Sequence, residues 1–204
     1  MIYVYAISEA PAAVEADGIS GAPARSLQAG ALAAVISTLE EPPTAEAPAL
    51  LAHESVVEAV MAAQPVLPVQ FGMTFAEEAE VTALLERRQD AFGELLREVR
   101  GCVELSVRVR WSPPEPAAAE SGRDYLQDRR HERRRADVVH QPLAALARSS
   151  TSRSEPGLLA AAYLVPAADV GPFTGRLETI RDEHPDLDFS CTGPWPPYSF
   201  VGAR

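Results

Sequence analysis

The 204-residue chain carries 29 acidic residues against 18 basic ones, a net charge of −11, and 47% of its residues are hydrophobic. That apolar share can build a core in one large domain or two ordinary ones, which excludes wholesale disorder, and the acidic balance argues against nucleic acid as a partner. All 18 basic residues are arginine, so chemistry that needs a lysine nucleophile, a Schiff base or a Walker-type lysine is excluded as well.

No apolar run approaches the ~18 residues that a bilayer-spanning helix needs, so no membrane partner is expected. Met1-Ile-Tyr-Val-Tyr-Ala-Ile has no basic residue ahead of its apolar stretch and reads as an opening strand over residues 2–7, not as a secretory signal. A Gly-, Ala- and Pro-rich stretch to about residue 27 reads as a loop. The run Ala31 to Leu39 tilts to strand through Val35, Ile36 and Thr38, and Glu41-Pro42-Pro43-Thr44 breaks it. From Pro48 to about Ala63, Leu50, Leu51, Val57, Val60 and Met61 recur at helical intervals. Pro65 ends that helix. Val66 to Phe71 then reads as extended, and Pro68, lacking an N–H, places it at a sheet edge or a bulge.

Thr74-x-x-Glu77 matches a capping box and predicts the start of a single long helix. Its stripe is Val81, Leu84, Leu85, Phe92, Leu95, Leu96 and Val99, and Gly101 stops it. Cys102 to Trp111 alternates apolar with polar side chains, the signature of a half-buried strand. Ser112 to Ser121 is Pro- and Ala-rich without periodicity, a stiff linker. Arg123 to Arg148 reads as an arginine-rich helix bent or ended by Pro142, and residues 149–157 as a loop. Leu158 to Val165 reads as a buried strand, Phe173, Leu177 and Ile180 as the stripe of a helix, and Leu187 to Cys191 as a last short strand.

Short strands interleaved with helices predict an α+β fold in two domains. Residues 1–111 are expected to form a modified ferredoxin-like sandwich, 112–121 the linker, and 122–204 a smaller α+β domain with mainly antiparallel strands and the arginine-rich helix.

Catalytic patterns are missing. His53-Glu54 resembles half of a zinc-hydrolase motif, but position 57 is Val, so the second ligand is absent. An imidazole there is expected to cap, pair or bond to a neighbouring strand. Cys102 and Cys191 have no nearby Cys or His at ligand spacing and read as free thiols of a reducing cytoplasm. No histidine triad spacing, nucleophile elbow or glycine-rich phosphate loop occurs. The expectation is a protein without enzymatic activity, cofactor or metal.

Residues 123–135 hold six arginines against Asp124, Asp128 and Glu132, a local excess of positive charge on an acidic chain. Arg129, Arg130, Arg133, Arg134 and Arg135 are candidates for docking an acidic protein surface, since guanidinium forks match carboxylates. The plain alternative is a solvated helix face. The closing Thr192-Gly-Pro-Trp-Pro-Pro-Tyr-Ser-Phe-Val201 holds three prolines and three large aromatics. Such rings have to pack on something, and the second domain's own surface is the expected site.

The ordered set Tyr3-Val-Tyr-Ala-Ile7, His53-Glu54, Val66-Leu-Pro-Val-Gln-Phe-Gly72, Gly101-Cys-Val-Glu104, Gly122-Arg-Asp-Tyr-Leu126, Ala162-Tyr-Leu-Val165 and Gly193 to Val201 resembles the gas vesicle accessory proteins of the F/L type (GvpF/GvpL). The family commonly has Arg where Gln70 stands, and the chain reads as short for it. The resemblance implies a two-domain α+β protein whose first domain is ferredoxin-like. It implies an assembly or structural role in gas vesicles, with the hydrophobic shell protein and other accessory proteins as partners and the gas vesicle within the cytoplasm as location. A small-molecule-binding or regulatory module on the same fold is the alternative, because a fold alone does not define a function.

Overall fold

The computed structural model describes residues 1–14, 16–112 and 122–201, with the side chains of 122–129 left aside. Its described residues form a mixed α+β fold with two antiparallel sheets and six α-helices. The chain divides into two compact units, Met1–Gly101 with the terminal residues from Pro196, and Cys102–Trp195.

In the first unit, β1 (Ile2–Ser8) is central. It pairs antiparallel with β3 (Leu32–Thr38) on one side, and with β4 (Val66–Pro68) and β5 (Thr74–Phe75) on the other. The sheet is completed by β2 (Arg25–Ala29), an edge strand inside the stretch expected to be a loop. Every residue of β1 is buried because helices cover both faces of the sheet. Tyr3, Tyr5, Ala6, Val35 and Val66 share a core with Val56, Val57 and Val60 of α1 (Ala47–Ala63). A bulge between Val4 and Ala6 lets Tyr5 and Ala6 both join that face. The buried stripe of α1 is His53, Val56, Val57 and Val60, at helical spacing. Leu50 and Leu51, expected to belong to it, lie exposed on the first turn.

On the opposite face the expected single helix is two, α2 (Glu78–Arg87) and α3 (Gln89–Val99). They are parted at Arg88, whose φ of −111° and ψ of 17° are not helical. Val81, Leu85, Leu96 and Val99 are its buried residues. The expected capping box does not form, because the Thr74 backbone is taken by pairing with Tyr3. Glu80 instead reaches back past the N-cap Glu77, its Oε2 accepting the Ala76 N–H at 2.8 Å. Gly101, at φ +68°, ends the helical pair where a side chain would be strained.

The second unit holds β6 (Cys102–Arg110), α4 (Gly122–Ala144), β7 (Ser149–Glu155), β8 (Leu158–Pro166), α5 (Val170–Glu183) and β9 (Asp188–Trp195), with strand order β7-β8-β6-β9. Alternate residues Leu105, Val107 and Val109 meet Leu159, Ala161, Tyr163 and Val165 on one face, under Val139 and Leu143 of α4 and Phe173, Leu177 and Ile180 of α5. The stretch expected to be a loop at 149–157 is the strand β7. Its serines lack apolar side chains, and it forms because β8 offers a complete ladder from Leu158 to Leu164.

The expected partition at residue 111 is corrected by strand pairing. β6 hydrogen-bonds along its length to β8 and β9, so it belongs to the second unit, and the residues from Pro196 onward belong to the first. A strand joins the sheet that satisfies its backbone, whatever its position in the chain. Apart from Ser112, the expected linker lies outside the described residues. No described helix is long and apolar enough to cross a membrane.

Candidate functional site

Four of the seven marker segments converge in the first unit. Tyr3 and Tyr5 of β1 sit with rings 4.8 Å apart, and the His53 ring of α1 lies 5.7 and 5.6 Å from them. Phe71, just after β4, approaches His53 at 5.8 Å, and Tyr198 of α6 (Tyr198–Val201) approaches it at 6.4 Å. Of the terminal aromatics, Tyr198 therefore does not fold onto the second unit as expected. Tyr198 docks on the first, while Trp195 ends β9 at 36% exposure. The compositional signal said only that these rings would be covered; their chain neighbours could not say by what.

His53 is 3% exposed, and its Nδ1 stands 2.8 Å from the Tyr3 hydroxyl, the strand contact expected for this imidazole. Tyr3 also receives the Gly72 N–H at 3.2 Å. Burial raises the Tyr3 phenol to about 12, the Gly72 N–H opposing. Burial likewise lowers the His53 pKa, opposed by the nearby Val69 carbonyl, although Nε2 makes no hydrogen bond. The Tyr198 phenol is pushed up first by burial and then by the carboxylates of Glu54 and Glu58 and by Tyr3. Each group is thereby held in its neutral form near pH 7, which suits a packed cluster better than proton transfer.

Beside this cluster, Tyr198 and Val201 close one end of an apolar cleft of about 530 Å³. Val4, Ala34 and Leu67 of the sheet form its base, and Leu84, Leu85 and Phe92 of α2 and α3 its wall. The lining includes Arg88, whose guanidinium lies over the Phe92 ring at 5.1 Å. The sequence stripe of α2 and α3 signalled this surface, but as core and not as a cleft.

The candidate arginines are dispersed by the helix. Arg130 and Arg133 line a second cleft, of about 430 Å³, between α4 and the β7–β8 hairpin. Arg134 is exposed away from that lining, and Arg135 is tied to Asp186 as an ion pair. The side chain of Arg129 lies outside the described residues. The same cleft holds Glu132, which sequence reasoning treated only as a charge in a run. It is 7% exposed and its Oε2 accepts from Trp111 Nε1 at 2.9 Å and from the Gly157 N–H at 2.8 Å. Nearby, His140 Nδ1 lies 2.9 Å from the Tyr163 hydroxyl. Cys102 and Cys191 are free thiols whose pKa values burial pushes up, opposed by Arg148 and Arg181 respectively. Among the described residues no three His, Cys, Asp or Glu side chains are grouped to hold a metal.

The fold and these clefts define a two-sheet α+β protein whose described residues include an apolar recess on the first unit and a charged recess on the second. Residues 1–202 match the family model described as gas vesicle synthesis protein GvpL/GvpF. The chain is 32% identical over 247 residues to gas vesicle protein L of a Streptomyces species, covering 98% of this chain and 92% of that protein. It is 31% identical over 211 residues to gas vesicle protein F2 of Halobacterium salinarum, covering 98% and 91%. Against protein L the 247 aligned positions exceed this chain's 204 residues, in keeping with the expected shortness, whereas against F2, over 211 positions, the difference is slight. The crystal structure of GvpF from Anabaena sp. PCC7120 superposes with a TM-score of 0.82 at 22% identity over 100% of this chain and 96% of that one. GvpF from Microcystis aeruginosa gives 0.79 at 21%, over 99% of both chains. The chain belongs to the GvpL/GvpF family of gas vesicle synthesis proteins, which implies an accessory role in gas vesicles.

Proposed function

We propose that this chain is a non-catalytic accessory protein of gas vesicle formation that binds the hydrophobic shell protein or other accessory proteins and acts at the growing vesicle in the cytoplasm. The observation that supports binding is the apolar cleft of about 530 Å³ on the first unit. Apolar side chains around a recess of that size favour an apolar partner element, since each fully buried aliphatic or aromatic side chain contributes about 1.5–3 kcal/mol. Leu50, Leu51 and Met73 add exposed apolar surface on the same unit. The first unit also suits the description of a modified ferredoxin-like sandwich, β1 being flanked by antiparallel neighbours, with helices on both faces as the modification.

Deleting the gene in a vesicle-forming host is expected to abolish or deform vesicles, and normal vesicles would refute the reading. In co-purification, the shell protein or another vesicle protein is expected to be retained at moderate salt. Replacing Leu84 with Glu is expected to lose that retention while leaving the fold intact.

A further inference from the structure

The apolar cleft of the first unit carries charge of one sign only. Arg88 is in its lining, and no carboxylate stands there with it. Arg88 lies at the break between α2 and α3 and is exposed. Its guanidinium rests over the Phe92 ring and reaches no carboxylate within ion-pair distance among the described residues. Glu86 and Asp90, two positions away on either side, are outside the lining. The cation is thus steadied by an aromatic face and left without a counter-charge.

The rest of the lining is incompletely covered core. Val69, Phe75, Leu84 and Phe92 are only half-buried, beside the fully buried Leu67 and Leu85. Such surface gains from being covered. One rim cation is too few polar groups to fix a small molecule, which needs several convergent ones. A protein element covers the recess as a strand or as a helix. Strand addition would use the edge of β4, where Pro68 has no N–H to offer. A helix needs no free edge, since it lays an apolar stripe into a groove through anchors at i, i+3 or i+4, and i+7.

The charge of the occupant follows from the rim. A basic helix would bring a like charge to Arg88, and a neutral one would leave the guanidinium without a counter-charge beside newly dried surface. A strongly acidic helix is disfavoured by the chain's net charge of −11. We infer that the cleft takes an amphipathic helix of a partner protein, whose apolar stripe covers Leu84 and Phe92 and whose single bordering carboxylate pairs with Arg88. The inference rests on the reading of this cleft as a partner site and names what the partner presents. Arg88 sets orientation and selectivity, while the apolar contacts supply most of the affinity, because an ion pair at a wet rim contributes little.

The test separates the charge preference from the cleft itself. The probe is a fluorescein-labelled amphipathic peptide of alanine and glutamine, with leucines at i, i+3, i+4 and i+7 and one glutamate bordering them. Its anisotropy is followed with the full chain at about 0.15 M salt, where the Debye length is about 8 Å. The wild-type chain is expected to bind it, and to bind a matched peptide with Lys for Glu about tenfold more weakly. R88E is expected to reverse that order with an unchanged Tm, whereas R97E, on α3 outside the cleft lining, keeps it. L84E is expected to lose both peptides. Equal binding of the two peptides, still lost in L84E, would overturn the inference and leave the partner cleft standing. Absence of binding, an equal reversal in R97E, or displacement of the probe by laurate at lower concentration than by unlabelled peptide would overturn it as well.

Discussion

The Tyr3 hydroxyl and His53 Nδ1 meet at 2.8 Å across the interface between the central strand and α1, fully shielded from water. This single contact joins two segments separated by 50 residues. It also fixes the ring around which Tyr5, Phe71 and Tyr198 are arranged.

Removing that hydroxyl tests its weight. In Tyr3→Phe the ring stays, but His53 Nδ1 and the Gly72 N–H lose their partner. Since His53 Nε2 already lacks one, the imidazole becomes wholly unsatisfied. A loss of about 1–3 kcal/mol is expected in urea unfolding with the m-value unchanged.

Acid sensitivity follows from two desolvated histidines, the buried His53 and the half-buried His140. Burial holds both His53 and His140 below the ordinary 6.5, so over a window below that value the unfolded chain binds protons that the folded chain refuses. Stability is therefore complete above pH 6.5 and falls as pH drops toward the lowered folded values. Calorimetry between about pH 7 and pH 5 is expected to show a declining Tm. His53→Gln is expected to make the decline shallower, whatever it does to the Tm at pH 7.

Tyr198→Ala removes the ring that closes the apolar cleft. The expected cost is about 2 kcal/mol, below that of a fully buried aromatic because Tyr198 is half-buried. The more specific readout is increased binding of an apolar dye, as Val4, Leu67 and Phe92 become accessible. Trp195→Ala, altering a residue outside that lining, is expected to leave dye binding unchanged.

Gly193 is required by its backbone. Its φ is +117°, and an added Cβ would stand 2.6 Å from the Glu104 carbonyl oxygen, which belongs to the paired strand β6 and cannot yield. Gly193→Ala is expected to cost about 2–3 kcal/mol. Chemical unfolding of the purified variant measures it.

Much of the local structure was legible because local rules govern it. The alternation of Val103, Leu105, Val107 and Val109 announced β6, and the apolar spacing of Phe173, Leu177 and Ile180 announced α5. β2 and β7 were not legible. Their residues, Arg25 to Ala29 and Ser149 to Glu155, become strands only because β3 and β8 offer ladders to edge positions. Likewise Thr74 satisfied a helix-cap pattern in sequence but was claimed by β1.

The same division holds for the candidate sites. The sequence by itself determined the family, through its ordered marker segments, and the α+β class, through periodicities set by 3.6- and 2-residue repeats. It also located the arginine run. Only the tertiary structure decided that Tyr198 returns to His53, that β6 serves the second sheet, and that Arg130 and Arg133 share a recess with a buried carboxylate while Arg135 is consumed by Asp186. These are contacts between segments far apart in the chain. They are selected by which arrangement buries the most apolar surface with every backbone group paired, a property of the whole chain that no short window of it contains.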